Sequence, residues 1–243
     1  MEITDPKDRI HRLIKGIEGY NPKHLPILEK HLAWQIKESE YDFEANLAML
    51  RMYQFAPELF NVDAVKLILL KAIANLPSTD LTLCKYLIQT DRLMEEPLCT
   101  VVDLGNLLET CQFHKFWEAL EENPEVAASI ADWESSVRSF IAYVIDTTYQ
   151  RISKSLLMSL LNISSDEELE LVLKGQKWQP CPPSPEDTLA AGDQWIFITN
   201  HEASVKSTKI KEKVTFAAMA SMANAFKPSV GEFFIQAIPK HAS

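Results

Sequence analysis

The chain has 243 residues, a hydrophobic fraction of 47% and a formal net charge of −10 at pH 7. This length suffices for one large or two small domains, and the composition is typical of globular proteins. The acidic balance disfavours general binding to nucleic acid or to anionic membranes. Residues 1–12 lack the apolar core of a signal peptide, and no run approaches the roughly 18 apolar residues of a membrane span. A reduced, intracellular protein is therefore expected.

Amphipathic helices are predicted along the first half of the chain, because apolar residues recur there at three- and four-residue spacing. The first helix is expected over 6–19, with Asp5 as N-cap and an apolar face of Ile10, Leu13, Ile14 and Ile17. The fifth has a predicted apolar face of Leu83, Leu87 and Ile88. The candidate N-caps of the third, fourth and fifth helices are Asp42, Asn61 or Asp63, and Thr79 or Asp80. The other helices are predicted near 22–36, 42–56, 61–76, 79–88, 97–108, 113–120 and from Asn123 onward.

Short turns between these antiparallel helices favour a stacked α-solenoid. A faint internal repeat points the same way, since Leu50-x4-Phe55-x3-Leu59 is similar to Leu108-x4-Phe113-x3-Trp117. A genuine repeat and a coincidence both explain this similarity.

Residues 133–199 have the order of elements of a winged helix. A helix stripe is formed by Trp133, Val137, Phe140, Ile141, Val144, Ile145 and Ile152. Ser153 is the predicted N-cap of a second helix, and the capping box Ser165 to Glu168 begins a third, which Gly175 is expected to end. The apolar side of the third helix is assigned to Leu169, Leu171, Val172 and Leu173. Trp178 and the run 195–199 then predict the two strands of a small β-hairpin.

The charges of the third helix argue against DNA recognition. It begins with Asp166, Glu167, Glu168 and Glu170, and Lys174 is its single basic residue. Binding to duplex DNA depends on neutralising phosphates with Lys and Arg. The sequence therefore favours a winged helix that recognises protein and has no specific DNA target.

Two segments extend this winged helix. The Pro-, Asp- and Gly-bearing connector 180–194 lies between the predicted strands and is longer than a tight hairpin needs. After the last strand comes a basic cluster of Lys206, Lys209, Lys211 and Lys213, which is either an RNA or acidic-partner contact or a balanced helix surface. A narrow apolar stripe follows at four-residue steps: Ile210, Val214, Ala218, Met222 and Phe226. Such a helix must fold back or pack on a partner.

Few residues suggest chemistry, so neither an enzyme nor a cofactor or metal site is expected. The motif Cys111-x-x-His114 is half of a metal site without a second half, and a buried thiol beside a surface histidine is the competing interpretation. Cys84 or Cys111 with His114 remains a nucleophile–base alternative. The carboxylates of Glu118, Glu121 and Glu122 are read as a solvated helix face.

Four blocks of sequence closely resemble the k subunit family of eukaryotic translation initiation factor three. They are YDFEANLAMLRMYQF (41–55), DLGNLLETCQFHKFWEALEEN (103–123), SVRSFIAYVIDTTYQRI (136–152) and WIFIT (195–199). The similarity runs from about residue 10 to about residue 220, with the blocks in the same order. The connector 180–194 and the tail after about 225 exceed the family pattern.

This resemblance implies a mainly α fold, with a HEAT-like antiparallel helical repeat domain (1–131) and a PCI-like winged-helix domain with a small β-hairpin (132–205). Residues 206–243 would form a C-terminal amphipathic helix and tail. The implied role is that of a non-catalytic scaffold in the cytoplasm, with the nucleus as a second candidate location. Its implied partners are the other subunits of the initiation factor three complex, especially the l subunit, and through them the small ribosomal subunit.

The family also implies a contact surface. The edge of the 195–199 strand, with Trp195 and Phe197, and the stripe from Ile210 to Phe226 are the expected sites of association. The alternatives are a subunit of another PCI assembly, such as the proteasome lid or the signalosome, and a winged helix that binds nucleic acid.

Overall fold

A computed structural model of the chain describes residues 6–182, 194–200 and 219. The chain divides into two compact units, Met1–Asn200 and His201–Ser243. The helical repeat and the winged helix lie together in the first unit, and a domain boundary between residues 131 and 132 stays a prediction. Of the second unit, Met219 alone is described.

The described residues form a mainly α-helical structure with a small sheet at its C-terminal end. The α-helices are α1 (Pro6–Leu13), α2 (Leu25–Lys37), α3 (Phe43–Phe55), α4 (Val62–Ala74), α5 (Asp80–Leu87), α6 (Thr90–Leu93), α7 (Leu98–Glu109), α8 (Phe113–Glu122), α9 (Pro124–Ala127), α10 (Trp133–Thr148), α11 (Lys154–Leu161) and α12 (Asp166–Gln176). Short 3-10 helices span Gly16–Tyr20, Pro22–His24 and Pro57–Leu59. The strands are β1 (Arg151–Ser153), β2 (Gln179–Cys181) and β3 (Trp195–Phe197), in the sheet order β1-β3-β2. The predicted fold class is confirmed.

Several predicted helix starts are confirmed by side-chain caps. The carboxylate of Asp42 accepts the amide of Ala45 at the start of α3, and Asn61 rather than Asp63 caps α4. Ser153 accepts the amide of Leu156, and Ser165 accepts the amides of two residues in the first turn of α12. Each cap satisfies a backbone donor that the helix itself leaves without a partner.

The first predicted helix is wrong in its second half. It ends at Leu13, and Gly16 adopts a left-handed conformation with φ of +72° that interrupts the helix. A Cβ on Gly19 would collide with the carbonyl oxygen of Ile14, so the following turn needs a glycine there. Ile17 consequently leaves the apolar face and is 86% exposed.

One further expectation for the helical part, the apolar face of α5, is wrong. On α5, which packs against α3 and α4, Leu83 is exposed, while Leu81 and Cys84 are buried. The apparent sequence repeat has no structural counterpart, because Phe55 is exposed at the end of α3 and Phe113 is buried at the start of α8. Of the two explanations left open, this difference favours coincidence.

Two tryptophans connect the winged helix to the helical repeat. The Trp133 indole N–H donates to the carbonyl of Leu70 on α4 at 2.9 Å, and that of Trp117 on α8 donates to the carbonyl of Leu160 on α11 at 2.9 Å. Both rings are buried in the apolar core. Each contact buries a large ring and satisfies its polar group, which explains why the two parts pack as one unit.

The winged helix differs from its prediction at the strands. Ile152, expected on the helix stripe, lies in β1, a third strand that the sequence pattern did not indicate. Pro180 and Cys181, expected in the connector, belong to β2. Gly175 lies inside α12, and Lys177 takes the left-handed position after the helix with φ of +62°.

Candidate protein-interaction surface of the winged helix

The exposed side of α12 carries acidic groups, and two of them form ion pairs with nearby lysines. Asp166 Oδ1 lies 2.9 Å from Lys154 Nζ, and Glu170 Oε2 lies 3.5 Å from Lys174 Nζ. The single lysine of the helix thus faces a carboxylate of the same helix. The acidic side of this helix would repel a phosphate backbone.

The sheet register shows to which neighbouring strand each backbone group of β3 forms its hydrogen bonds. The amide of Ile198 donates to the carbonyl of Gln150, and the amide of Lys154 donates to that of Gln194. Hydrogen-bonded pairs alternate in an antiparallel ladder. The backbone N–H and C=O of Ile196 therefore point to β1, and those of Trp195 and Phe197 point to β2.

This register corrects the expectation of a free strand edge at Trp195–Thr199. β3 is the central strand and is paired on both sides over Trp195–Phe197. On β2, the same alternation directs the backbone of Pro180 away from β3, at a position where proline offers no N–H to another strand. A partner therefore cannot extend the sheet at β3, and β2 is a poor template for strand addition.

The outward face of the sheet brings together the two predicted contact residues that the structure describes. Trp195 and Phe197 are two positions apart in β3, so their side chains leave the sheet on the same face. Phe197 is 37% exposed, whereas Trp195 is 8% exposed and has the guanidinium of Arg151 at 5.6 Å from its ring centroid. Phe197 is thus the accessible apolar group on this face, and Trp195 is buried.

The other predicted contact residues are Ile210, Val214, Ala218, Met222 and Phe226, and all of them lie outside the described residues. Met219, one position after Ala218, is helical and exposed. The role of this stripe in association stays a prediction.

Two exposed apolar residues of the winged helix were not predicted as surface groups. Leu171 on α12 is exposed, contrary to its assignment to the apolar side, and Tyr143 on α10 is exposed as well. Leu171 lies two positions, or about 200° of helix rotation, after the buried Leu169, and this spacing was the available signal. Together with Phe197, these residues are the large apolar side chains exposed on the described part of the winged helix.

The two candidate nucleophiles lie in different environments. Burial raises the pKa of the Cys84 thiol to about 12, with a further contribution from the charge of Asp80, so Cys84 stays protonated at neutral pH. Cys111 is exposed rather than buried, and it occupies the left-handed position after α7. His114 Nδ1 lies 3.2 Å from the hydroxyl of Ser159. Within residues 6–182 and 194–200, no group of three His, Cys, Asp or Glu side chains is placed to hold a metal ion.

No helix in the described part of the chain combines the length and the apolar character needed to cross a membrane.

Comparison with known proteins places this architecture in a family. A sequence profile of the CSN8/PSMD8/EIF3K family matches residues 59–209. Eukaryotic translation initiation factor 3 subunit K of Homo sapiens is 41% identical over 213 residues, which cover 88% of this chain and 93% of the relative. The proteins of the same name from Danio rerio and Aedes aegypti are 40% and 36% identical, and each match covers 88% of this chain and more than nine-tenths of the relative. The chain therefore belongs to the CSN8/PSMD8/EIF3K family, as a member of its eukaryotic translation initiation factor 3 subunit K branch.

Proposed function

We propose that this protein is a non-catalytic scaffold subunit of the eukaryotic translation initiation factor 3 complex and acts in the initiation of translation. The observation that carries this proposal is the similarity to subunit K over nearly the whole length of both chains. The winged helix supports it, because its exposed apolar groups suit contact with protein and its acidic helix does not suit contact with DNA. We assign it no catalytic role, cofactor or metal.

Within the complex, we propose the l subunit as the direct partner and the small ribosomal subunit as a target reached through the assembly. The contact surface consists of the outward face of the wing sheet, centred on Phe197, and of the stripe from Ile210 to Phe226. Partly exposed aromatic groups on a rigid sheet are typical anchors of interfaces, since they bury a large apolar area at a low entropic cost. The protein acts in the cytoplasm, with a nuclear fraction as a second location that cell fractionation would detect.

The test is co-purification of the complex with the tagged full-length chain. Phe197→Asp places a charge on the proposed surface and should reduce recovery of the l subunit about tenfold or more, equivalent to about 1.4 kcal/mol of binding. Tyr86→Asp on α5 is the matched control, because Tyr86 is an aromatic residue that is 82% exposed and far along the chain from the winged helix. Met222→Asp examines the C-terminal stripe in the same assay.

Each variant must also keep the helical circular dichroism and the melting temperature of the wild-type chain. A folded Phe197→Asp variant that recovers the l subunit as well as Tyr86→Asp does would contradict the proposed surface. A wild-type chain that migrates only as a free monomer, away from ribosomal subunits, would contradict the proposed function itself.

The alternative of another assembly of the same family is tested by the same purification. The family name also covers CSN8 and PSMD8, but the relatives described above carry the name of the initiation factor. Mass spectrometry of the co-purifying chains distinguishes the initiation factor complex from the proteasome lid and the signalosome. A salt-dependent affinity of the full chain for duplex DNA or structured RNA would favour a nucleic-acid role instead.

A further inference from the structure

An open cavity of about 260 Å³ lies between the turn after α2, the end of α4 and the start of α10. Its wall combines polar side chains with an apolar floor that includes Ile130 and Trp133. The polar wall residues are Ser39, Tyr41, Lys71, Asn75, Asp132 and Ser136. The proposed scaffold function uses none of these side chains.

Lys71 is the unusual group in this wall, because its side chain is charged by default and yet the residue is only 6% exposed. Its Nζ donates to the carbonyl of Gln35 at 3.0 Å and to the carbonyl of Glu40 at 2.8 Å. The carboxylate of Glu40 is paired elsewhere, with Lys7 Nζ at 2.6 Å. Lys71 therefore meets two neutral acceptors rather than a counter-ion.

Two acceptors match the neutral form of the amine. A neutral amine has two N–H groups and one lone pair. The two carbonyls accept from both N–H groups, and the lone pair is not used by either bond. Burial lowers the pKa of Lys71, although the negative charge of Glu40 partly opposes this change. The other titratable groups here are Asp132, which lines the cavity, and Tyr41, whose hydroxyl donates to Asp80 at 2.8 Å.

We infer that Lys71 is a nucleophilic amine and a site of acylation, which small acyl thioesters reach through the cavity. The amine nitrogen attacks the thioester carbonyl carbon, so a C–N bond forms and the C–S bond breaks. The sulfur leaves as a thiolate and takes up the proton that the nitrogen releases. The products are an amide at Nζ and a free thiol, and no oxidant or reductant is required.

Acylation has a structural consequence at the turn after α2. The amide nitrogen keeps one N–H, so one of the carbonyls of Gln35 and Glu40 loses its donor. Loss of the bond to Gln35, which is a buried residue, would leave its carbonyl without that donor and destabilise the fold. The cavity has room for an acetyl group, since about 260 Å³ is several times the roughly 30 Å³ that one water molecule occupies in the liquid.

The test treats the full-length protein at pH 7 with a limiting amount of S-acetyl-N-acetylcysteamine, a small acetyl thioester. Peptide mass spectrometry then measures the initial rate of acetylation at each lysine. The reference is Lys37, at the end of α2, whose side chain is 82% exposed. We expect Lys71 to be acetylated several-fold faster than Lys37, because each unit by which an amine pKa falls towards the working pH raises the neutral fraction about tenfold.

A parallel reaction in concentrated urea shows whether the folded environment causes the difference. Unfolding removes the cavity and the two carbonyl contacts, so the ratio of the Lys71 and Lys37 rates should fall to about one. A ratio of one or less in the folded protein would overturn the inference, and so would a ratio above one that persists unchanged in urea. Neither result bears on the proposed scaffold function, which is read from co-purifying chains.

Discussion

Trp178 is the residue whose replacement should damage the winged helix most directly. It follows the left-handed Lys177 at the end of α12 and is only 4% exposed. Its backbone amide donates to the carbonyl of Leu173 at 3.0 Å, and its indole N–H donates to Asp146 Oδ1 at 3.3 Å. The ring thus connects the end of α12 to α10 and to the apolar core.

The magnitude follows from the buried area of the ring. A buried tryptophan removes about 150–250 Å² from water, and at about 25 cal/mol per Å² this corresponds to roughly 4–6 kcal/mol as an upper limit. Trp178→Ala retains a methyl group but leaves a cavity, so we expect a loss of about 3–5 kcal/mol in the free energy of unfolding. Trp178→Phe keeps most of the packing and loses the hydrogen bond to the exposed Asp146, which predicts a smaller loss of about 1–2 kcal/mol.

Urea denaturation followed by far-ultraviolet circular dichroism measures these differences through the midpoint and the slope of the transition. Tyr86→Ala is the control, because an 82% exposed side chain should change the free energy of unfolding by less than about 0.5 kcal/mol. A loss below about 1 kcal/mol for Trp178→Ala would refute the placement of this ring in the core. Equal losses for the alanine and phenylalanine variants would refute the division into packing and hydrogen bonding.

Two further predictions concern stability. Cys111→Gly should raise the free energy of unfolding by up to about 1 kcal/mol in the same urea assay, because Cys111 adopts φ of +57° and glycine tolerates that conformation. Cys111→Ala is the control and should give no such gain. Burial alone would raise the pKa of the Asp42 carboxyl, but hydrogen bonds from His31, the amide of Ala45 and His11 outweigh it and lower the pKa. The stabilisation by the Asp42 carboxylate is therefore complete above about pH 5, decreases as the pH falls through the unfolded-state pKa of about 3.9, and is lost below its lower folded-state pKa. The difference in unfolding free energy between wild type and Asp42→Asn should shrink between pH 5 and pH 2, and a constant difference would contradict the lowered pKa.

The helix starts were predictable from the sequence because each depends on one local side chain. Asp42, Ser153 and Ser165 carry oxygens that reach an amide two or three residues ahead, whatever the rest of the chain does. Helix ends were less predictable, since the left-handed positions after α7 and α12 are occupied by Cys111 and Lys177 rather than by glycine. Residue type alone carries little signal for that conformation in a chain with only six glycines.

The exposed and buried faces of the helices were predictable only where the apolar residues fit a single face. Ile17 fits the four-residue spacing of α1, but the turn at Gly16 removes it from the helix. Leu83 and Leu171 are apolar residues on helices that each bury one side, and the packing of neighbouring helices decides which side that is. Such decisions depend on tertiary contacts that a local pattern does not contain.

Strand β1 was missed because Ile152 satisfies two patterns. It continues the apolar stripe of α10, and it is also an isolated inward-facing residue of a three-residue strand. The strand owes its conformation to pairing with β3, which lies more than forty positions further along the chain. Non-local pairing of this kind leaves almost no mark on a segment of three residues.

This missed strand bears on how the winged helix would contact the partner proposed above. With β1 in place, β3 has no side left for a partner strand, and Pro180 limits pairing along β2. The outer edge of β1 stays open to backbone pairing, and the exposed apolar side chains available for contact at this end of the described structure are Phe197, Leu171 and Tyr143. A surface of this kind is sensitive to single substitutions that leave the backbone ladder intact, because hydrophobic anchors rather than ladder hydrogen bonds supply the affinity. Assembly and folding should for this reason be separable by mutation at Phe197, whereas a partner held by strand addition would tolerate that change.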